Sequence, residues 1–273
     1  MEDTLRFLIV IALVGLLLLL RFDAQRFGTA EYDDETADGG VRPWLRRLAW
    51  YSLGAVLIYA VFRAHPQPIS VLHLDLGRDR QLSIGLGLLL GLLGTSLAFA
   101  FAWWRYRRFR LPPARQYPGA AVNVIGTAVL DEALFRGIIL GLLLSFSWPV
   151  ELAIAFQAAF YGLATRLGAP GRSRGMLIIS VGIGAVAGSL TVQTLGIGAA
   201  MVGHAMTRFA IFLATGHAGQ VRPSGREPEE QLGRTMPPDG WEVVTDRATA
   251  ATDADPASDA HGEQGGLRPV RPG

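Results

Sequence analysis

The chain contains no cysteine and no lysine. Without cysteine, disulfides, thiol nucleophiles and thiolate metal sites are excluded in any compartment. Without lysine, all 25 basic residues are arginine, a bias that together with abundant Ala, Gly and Leu points to a GC-rich bacterial genome. Net charge is also scarce: a formal +2 over 273 residues gives no electrostatic reason to expect nucleic acid as a partner. Half of the residues are hydrophobic, and the mean hydropathy is +0.31. Several apolar runs reach the ~20 residues needed to cross a bilayer core of ~30 Å. The expected class is therefore all-α, a polytopic transmembrane helical bundle whose first partner is the lipid bilayer.

Hydropathy gives seven candidate spans, at about 4–20, 45–62, 82–104, 119–144, 148–165, 175–193 and 195–214. The first begins Met-Glu-Asp-Thr, with no basic leader and no small-residue cleavage site, and reads as a retained helix. Arginine placement orients the bundle. Arg21, Arg26, Arg42, Arg46, Arg47, Arg105, Arg107, Arg108, Arg110, Arg115, Arg166, Arg172 and Arg174 follow the odd-numbered spans, against Arg6, Arg63, Arg78 and Arg80 on the other side. Positive charge stays inside, so the N-terminus is expected outside and the C-terminus in the cytosol of a bacterial plasma membrane. Glycines at 182, 184, 188, 196 and 198 punctuate the last two spans, where small residues also permit close helix packing.

Three regions follow: 1–118 with the N-terminal helices and loops, 119–214 with the core helices, and 215–273 as a disordered cytosolic tail. The tail is rich in Pro, Gly and charge and poor in large apolar residues, so it buries too little to fold alone. Its exception, Trp241-Glu-Val-Val, reads as a stray apolar patch.

The fourth span carries the chemistry. Asp131, Glu132 and Arg136 lie within it, and ionisable groups at bilayer depth cost at least a few kcal/mol each, so they normally face a bundle interior and mark a working site. On a helix Glu132 and Arg136 are i,i+4 neighbours whose charges offset one another's burial. Asp131 lies about 100° around and is left without that partner. A carboxylate in an apolar cavity acquires a raised pKa, the condition for general-base work near neutral pH, which makes Asp131 the candidate base and Glu132 its braced neighbour. The competing reading is an ion pair that only locks two helices together. His204 is the only histidine inside a predicted span, with Arg208 one turn further on the same face. It is a candidate oxyanion donor, or else a polar residue satisfied between helices. In the fifth span Gln157, Tyr161 and Thr165 are polar enough to line a cavity.

The run Asp131-Glu-Ala-Leu-Phe-Arg-Gly resembles the Glu-Glu-x-x-x-Arg motif of the CPBP intramembrane proteases, the CAAX-protease and bacteriocin-processing family also called ABI. The family's Phe-x-x-x-His aligns with Tyr161-Gly-Leu-Ala-Thr165, and its His-x-x-x-Asn with His204-Ala-Met-Thr-Arg208, so the resemblance covers roughly 119–214. It implies a helical bundle with a conical intramembrane cavity open to the cytosol, and a peptide or membrane-protein substrate. Carried over, Asp131 activates a water, Glu132 and Arg136 support it, and His204 holds the oxyanion. No cofactor is implied: one intramembrane histidine cannot build a multi-histidine zinc site. Three positions depart from the family pattern. Asp131 is one methylene shorter than Glu, Thr165 stands in place of the histidine that shares the water, and Arg208 replaces Asn with a fixed charge. Two functions therefore compete: an intramembrane endopeptidase, and a non-catalytic relative that binds peptides or membrane proteins, or confers immunity, through the same cavity. A transporter would show an internal repeat, which the two halves lack.

Overall fold

The computed structural model describes residues 2–24, 41–106, 109, 111–112, 114, 117–167, 174–215, 241–244 and 266–269. Arg26, Arg107, Arg108, Arg110, Arg115 and Arg172 of the charge count, the acidic run at 33–35 and most of the tail lie outside the described residues. The chain forms two compact units, Met1–Pro223 and Ser224–Gly273.

The first unit is all helix. Its elements are α1 (Glu2–Phe22), α2 (Val41–Ala64), the single turn α3 (Pro68–Val71), α4 (Arg80–Tyr106), α5 (Tyr117–Glu132), a π turn (Ala133–Ile139), α6 (Leu140–Ser145), α7 (Val150–Leu167), α8 (Arg174–Thr194) and α9 (Gly198–Thr215). Each of the seven expected spans is a helix, with α5, the π turn and α6 running on as one. By length and composition, three helices are suited to cross a membrane: Glu2–Phe22, Arg80–Trp104 and Leu177–Thr194; α7 and α9 are shorter apolar helices. α2 is also helical, and α5 alone, at 16 residues, is shorter than these three.

Local chemistry explains the boundaries. Glu2 and Asp3 in the first turn of α1 and Arg21 in the last complement the helix dipole. Asp79 caps α4 by accepting the Leu82 N–H at 3.0 Å. Pro68 opens α3, where a missing N–H costs nothing. Glycine does not break α8 or α9. The break comes at 195–197, where Leu195 takes a positive φ of 56° and the loop after α3 is stitched in by Ile197 N–H to Asp75 O at 3.0 Å and Arg78 N–H to Thr194 O at 2.8 Å.

Packing is inside-out relative to a water-soluble bundle. Leu88, Leu89, Leu92, Leu93 and Leu97 of α4 and Ile178, Ile179 and Ile183 of α8 are exposed, whereas Asp131, Glu132 and Arg136 are buried. Lipid is the solvent that makes this favourable, and the unit is a membrane helical bundle. Exposed Trp103 and Trp104 near the end of α4 fit an interfacial belt. The tightest helix pair is α4 against α9. There Gly87, Gly91 and Gly94 face Ala199, Met206 and Thr207, and a Cβ at Gly87 would stand 2.9 Å from the Ala199 carbonyl oxygen. The main apolar core (Val10, Val14, Leu17, Val61, Phe135, Ile138) fills the space among α1, α2 and the π turn, directly beside the charged trio.

In the second unit, Trp241–Val244 and Gly266–Pro269 pair as antiparallel strands, Trp241 opposite Pro269 and Val244 opposite Gly266. Trp241-Glu-Val-Val has a partner strand, as β-branched and aromatic residues favour. A lone two-stranded ribbon is marginal in water.

Candidate active site

The site is built on the last turn of α5 and the π turn that follows it. Wider π turns inside helices recur at functional positions because the extra residue re-aims the side chains around it. Glu132 closes α5 and Arg136 lies in the π turn, and Arg136 Nη1 donates to Glu132 Oε1 at 3.1 Å, as the spacing predicted. His204 of α9 reaches the same oxygen: its Nδ1–H donates to Glu132 Oε1 across 2.7 Å. Oε2 of Glu132 is buried and accepts no hydrogen bond from any described residue. The Arg136 guanidinium is itself fully buried and stacks over the Tyr161 ring of α7 at 4.1 Å, a cation–π contact that fixes its plane. Tyr161 in turn meets Phe135 edge-on at 5.3 Å and His204 edge-on at 6.3 Å. Two donors, from the π turn and from α9, thus meet on one carboxylate oxygen, with Tyr161 of α7 packed against both.

Asp131 has a different neighbourhood. Sequence spacing left it without a partner on its own helix; the partner comes from α1. Arg21 Nε donates to Asp131 Oδ1 at 2.6 Å and Arg21 Nη2 to Oδ2 at 3.1 Å, a forked pair with the carboxylate 1 % exposed. The positive charges of His204, when protonated, and Arg208 also act on Asp131. The picture of a lone carboxylate in an apolar cavity is corrected accordingly: Asp131 is charge-compensated on both oxygens. Arg21 and Asp131 themselves line a cavity of about 10 Å³, together with Leu17, Leu20, Trp50, Gly54, Leu130 and Leu134. That is on the scale of one water molecule. Trp50 closes this corner by donating its indole N–H to the Leu20 carbonyl at 3.1 Å.

Arg21 was read from sequence only as a topology signal. Charge counting could have flagged it, since two carboxylates and one arginine in span four leave one negative charge without a counter-ion. Arg208 is buried on α9 beside this cluster's charges. Thr165 is buried, and its hydroxyl has no hydrogen-bond partner among the described residues. Gln157 points elsewhere, donating to the Gly184 carbonyl at 2.8 Å and tying α7 to α8. Tyr161, one turn before Thr165, is the α7 residue that touches the charged cluster. Among the described residues, no three His, Asp or Glu side chains converge in a manner suited to a metal ion.

Residues 112–210 match the family of type II CAAX prenyl endopeptidases described as Rce1-like. Over that segment, about a third of the chain, the sequence is similar to the CAAX protease family. No curated protein and no solved structure matches it. The matched segment contains Asp131, Glu132, Arg136, Thr165, His204 and Arg208. Arg21 lies outside it: this residue reaches Asp131 from α1, 91 residues before the matched segment begins at 112.

Proposed function

We propose that the protein is an intramembrane endopeptidase of the bacterial plasma membrane, hydrolysing a peptide bond with a carboxylate-activated water. The observation that carries this reading is the convergence of Arg136 and His204 on Glu132, at 3.1 and 2.7 Å, inside the family-matched segment. A buried carboxylate held by two donors on one side is a positioned proton acceptor. Arg136 and His204 also bring donors and positive charge to where an oxyanion would develop. The substrate is a peptide or a membrane-protein terminus entering from the cytosolic side. The thirteen-to-four arginine asymmetry supports an N-terminus outside and a C-terminus in the cytosol. With no native cysteine, single cysteines placed in the first loop and in the tail report this orientation by impermeant labelling; labelling of the tail from outside would reverse it.

The deciding experiment uses the purified protein in lipid nanodiscs against a broad peptide library, with products read by mass spectrometry. Cleavage that disappears in Glu132→Gln and His204→Ala, both still folded, supports the hydrolytic reading. A non-catalytic, peptide-binding relative is the second reading, favoured by the forked Arg21–Asp131 pair at the position of the family's first carboxylate and by threonine at 165. Absence of products from the native chain, with a gain on Thr165→His, would establish that alternative.

A further inference from the structure

We infer that Glu132, and not Asp131, is the carboxylate that takes the proton from water, and that Arg21 holds Asp131 out of the chemistry as a strut between α1 and α5. The inference rests on the hydrolytic reading above and assigns the roles within it.

The two adjacent carboxylates differ in how their oxygens are occupied. Arg21 grips Asp131 with both arms of its guanidinium, one on each oxygen, at 2.6 and 3.1 Å. A water in the cavity that Asp131 helps to line would share the carboxylate with a forked, charge-assisted pair, which holds the negative charge and lowers its basicity. Glu132 receives both of its donors, Arg136 and His204, on Oε1. Its Oε2 is buried and has no donor among the described residues. A buried carboxylate oxygen left without a donor is costly, and a bound water recovers that cost. Arg136 Nε and Nη2 are likewise buried without an acceptor among the described residues, and stacking on Tyr161 at 4.1 Å fixes where they point. The site thus presents a free acceptor on Glu132 beside free donors on Arg136, the pair that a water and a carbonyl oxygen require. Shortening the residue at 131 from Glu to Asp fits the same division, because the long Arg21 side chain spans the remaining distance from α1.

The step balances without any further reactant. Glu132 Oε2 accepts a proton as the water oxygen bonds to the carbonyl carbon. Collapse of the tetrahedral species breaks the C–N bond, and the proton on Glu132 passes to the departing nitrogen. The products are one carboxyl and one amine terminus, with Glu132 again ionised. Arg21 is a positioning residue: it touches neither water nor substrate.

The test compares three forms in nanodiscs with the peptide library and with the best substrate it yields. In the first, Arg21→Met with Asp131→Leu, the ion pair becomes an apolar pair of similar volume, a replacement that buried pairs often tolerate. In the second, Arg21→Asp with Asp131→Arg, the charges are exchanged, so that position 131 cannot act as a base. Expected are folded proteins whose kcat stays within about tenfold of the native value, with the acid limb of the pH profile unmoved. The third, Glu132→Gln, loses about 100-fold or more in kcat. Loss in either folded double variant equal to that of Glu132→Gln would overturn the inference while leaving the protease standing. If the native protein cuts nothing, the hydrolytic reading falls and the assignment falls with it.

Discussion

Asp131 and Glu132 are consecutive, equally buried and of the same charge, yet the bundle treats them differently. On the Asp131 side, one arginine from α1 occupies both carboxylate oxygens and apolar side chains wall off a space no larger than one water. On the Glu132 side, α9, α7 and the π turn supply a histidine, an aromatic ring and an arginine, and one buried oxygen has no donor among the described residues. Burial alone therefore does not identify a working carboxylate. The number of its oxygens already held is more informative, because a fully held carboxylate is structure and a half-held one can still accept a proton.

The comparison can be broken most forcefully at Glu132. Glu132→Gln is expected to lower turnover by about 100- to 10,000-fold with folding preserved, the range a general base contributes; kcat on the best library peptide checks it. Arg21→Ala acts on the other side and on stability. Removing one partner of a buried pair leaves Asp131 uncompensated, at a cost of about 3–5 kcal/mol. Thermal unfolding in detergent should show that loss, and Arg21→Met with Asp131→Leu should recover most of it. A control away from both carboxylates is Gly87→Val. Its side chain meets the Ala199 backbone at the α4–α9 contact, and about 1–3 kcal/mol should be lost with no change in the pH dependence of whatever cleavage remains. Tyr161→Leu keeps bulk but removes the ring under Arg136, and should cost about 1–2 kcal/mol, more than Tyr161→Phe, which keeps the ring.

The smallest effect lies between the spanning helices, in the segment that joins α3 to α4. Burial holds the His73 imidazole below its ordinary value of 6.5, against the opposing pull of the Asp75 charge and a backbone hydrogen bond at Leu195. The folded protein therefore keeps His73 neutral where the unfolded chain begins to protonate. This contribution to stability is complete above pH 6.5 and declines as pH falls through and below that value. His73→Gln should flatten the decline in unfolding midpoint between pH 8 and 5.5; an unchanged slope would remove His73 as its source.

Sequence alone made legible whatever depends on one helix at a time. The seven helices sit within a few residues of their hydropathy windows, and the Glu132–Arg136 contact follows from i,i+4 spacing. Contacts between helices were less accessible. His204 and Glu132 are 72 residues apart, and Arg21 and Asp131 are 110 apart, so their meeting depends on helix crossing and rotation that no local pattern encodes. The glycines of α8 and α9 were ambiguous for a related reason, since a glycine that breaks a helix and one that admits a neighbour look alike until the neighbour is placed. The π turn was invisible because hydropathy windows average over the single residue that makes it.

That turn also ties the length of the chain to the site. A π turn is an α-helix carrying one extra residue. Everything from Leu140 onward is thus rotated by about 100° relative to an uninterrupted helix. It is in this rotated frame that Gly141 meets the Val71 backbone and the Gly137 carbonyl accepts the His73 N–H at 3.2 Å. Excising one residue between 137 and 139 would let the helix close to the ordinary pitch and would leave Gly141 turned towards the 71–74 segment, because the lost residue and the lost offset of about 100° cancel. An in-frame gain or loss of a single codon beyond the π turn, between 140 and 145, has no such offset to absorb it and would rotate the rest of α6 by about 100°.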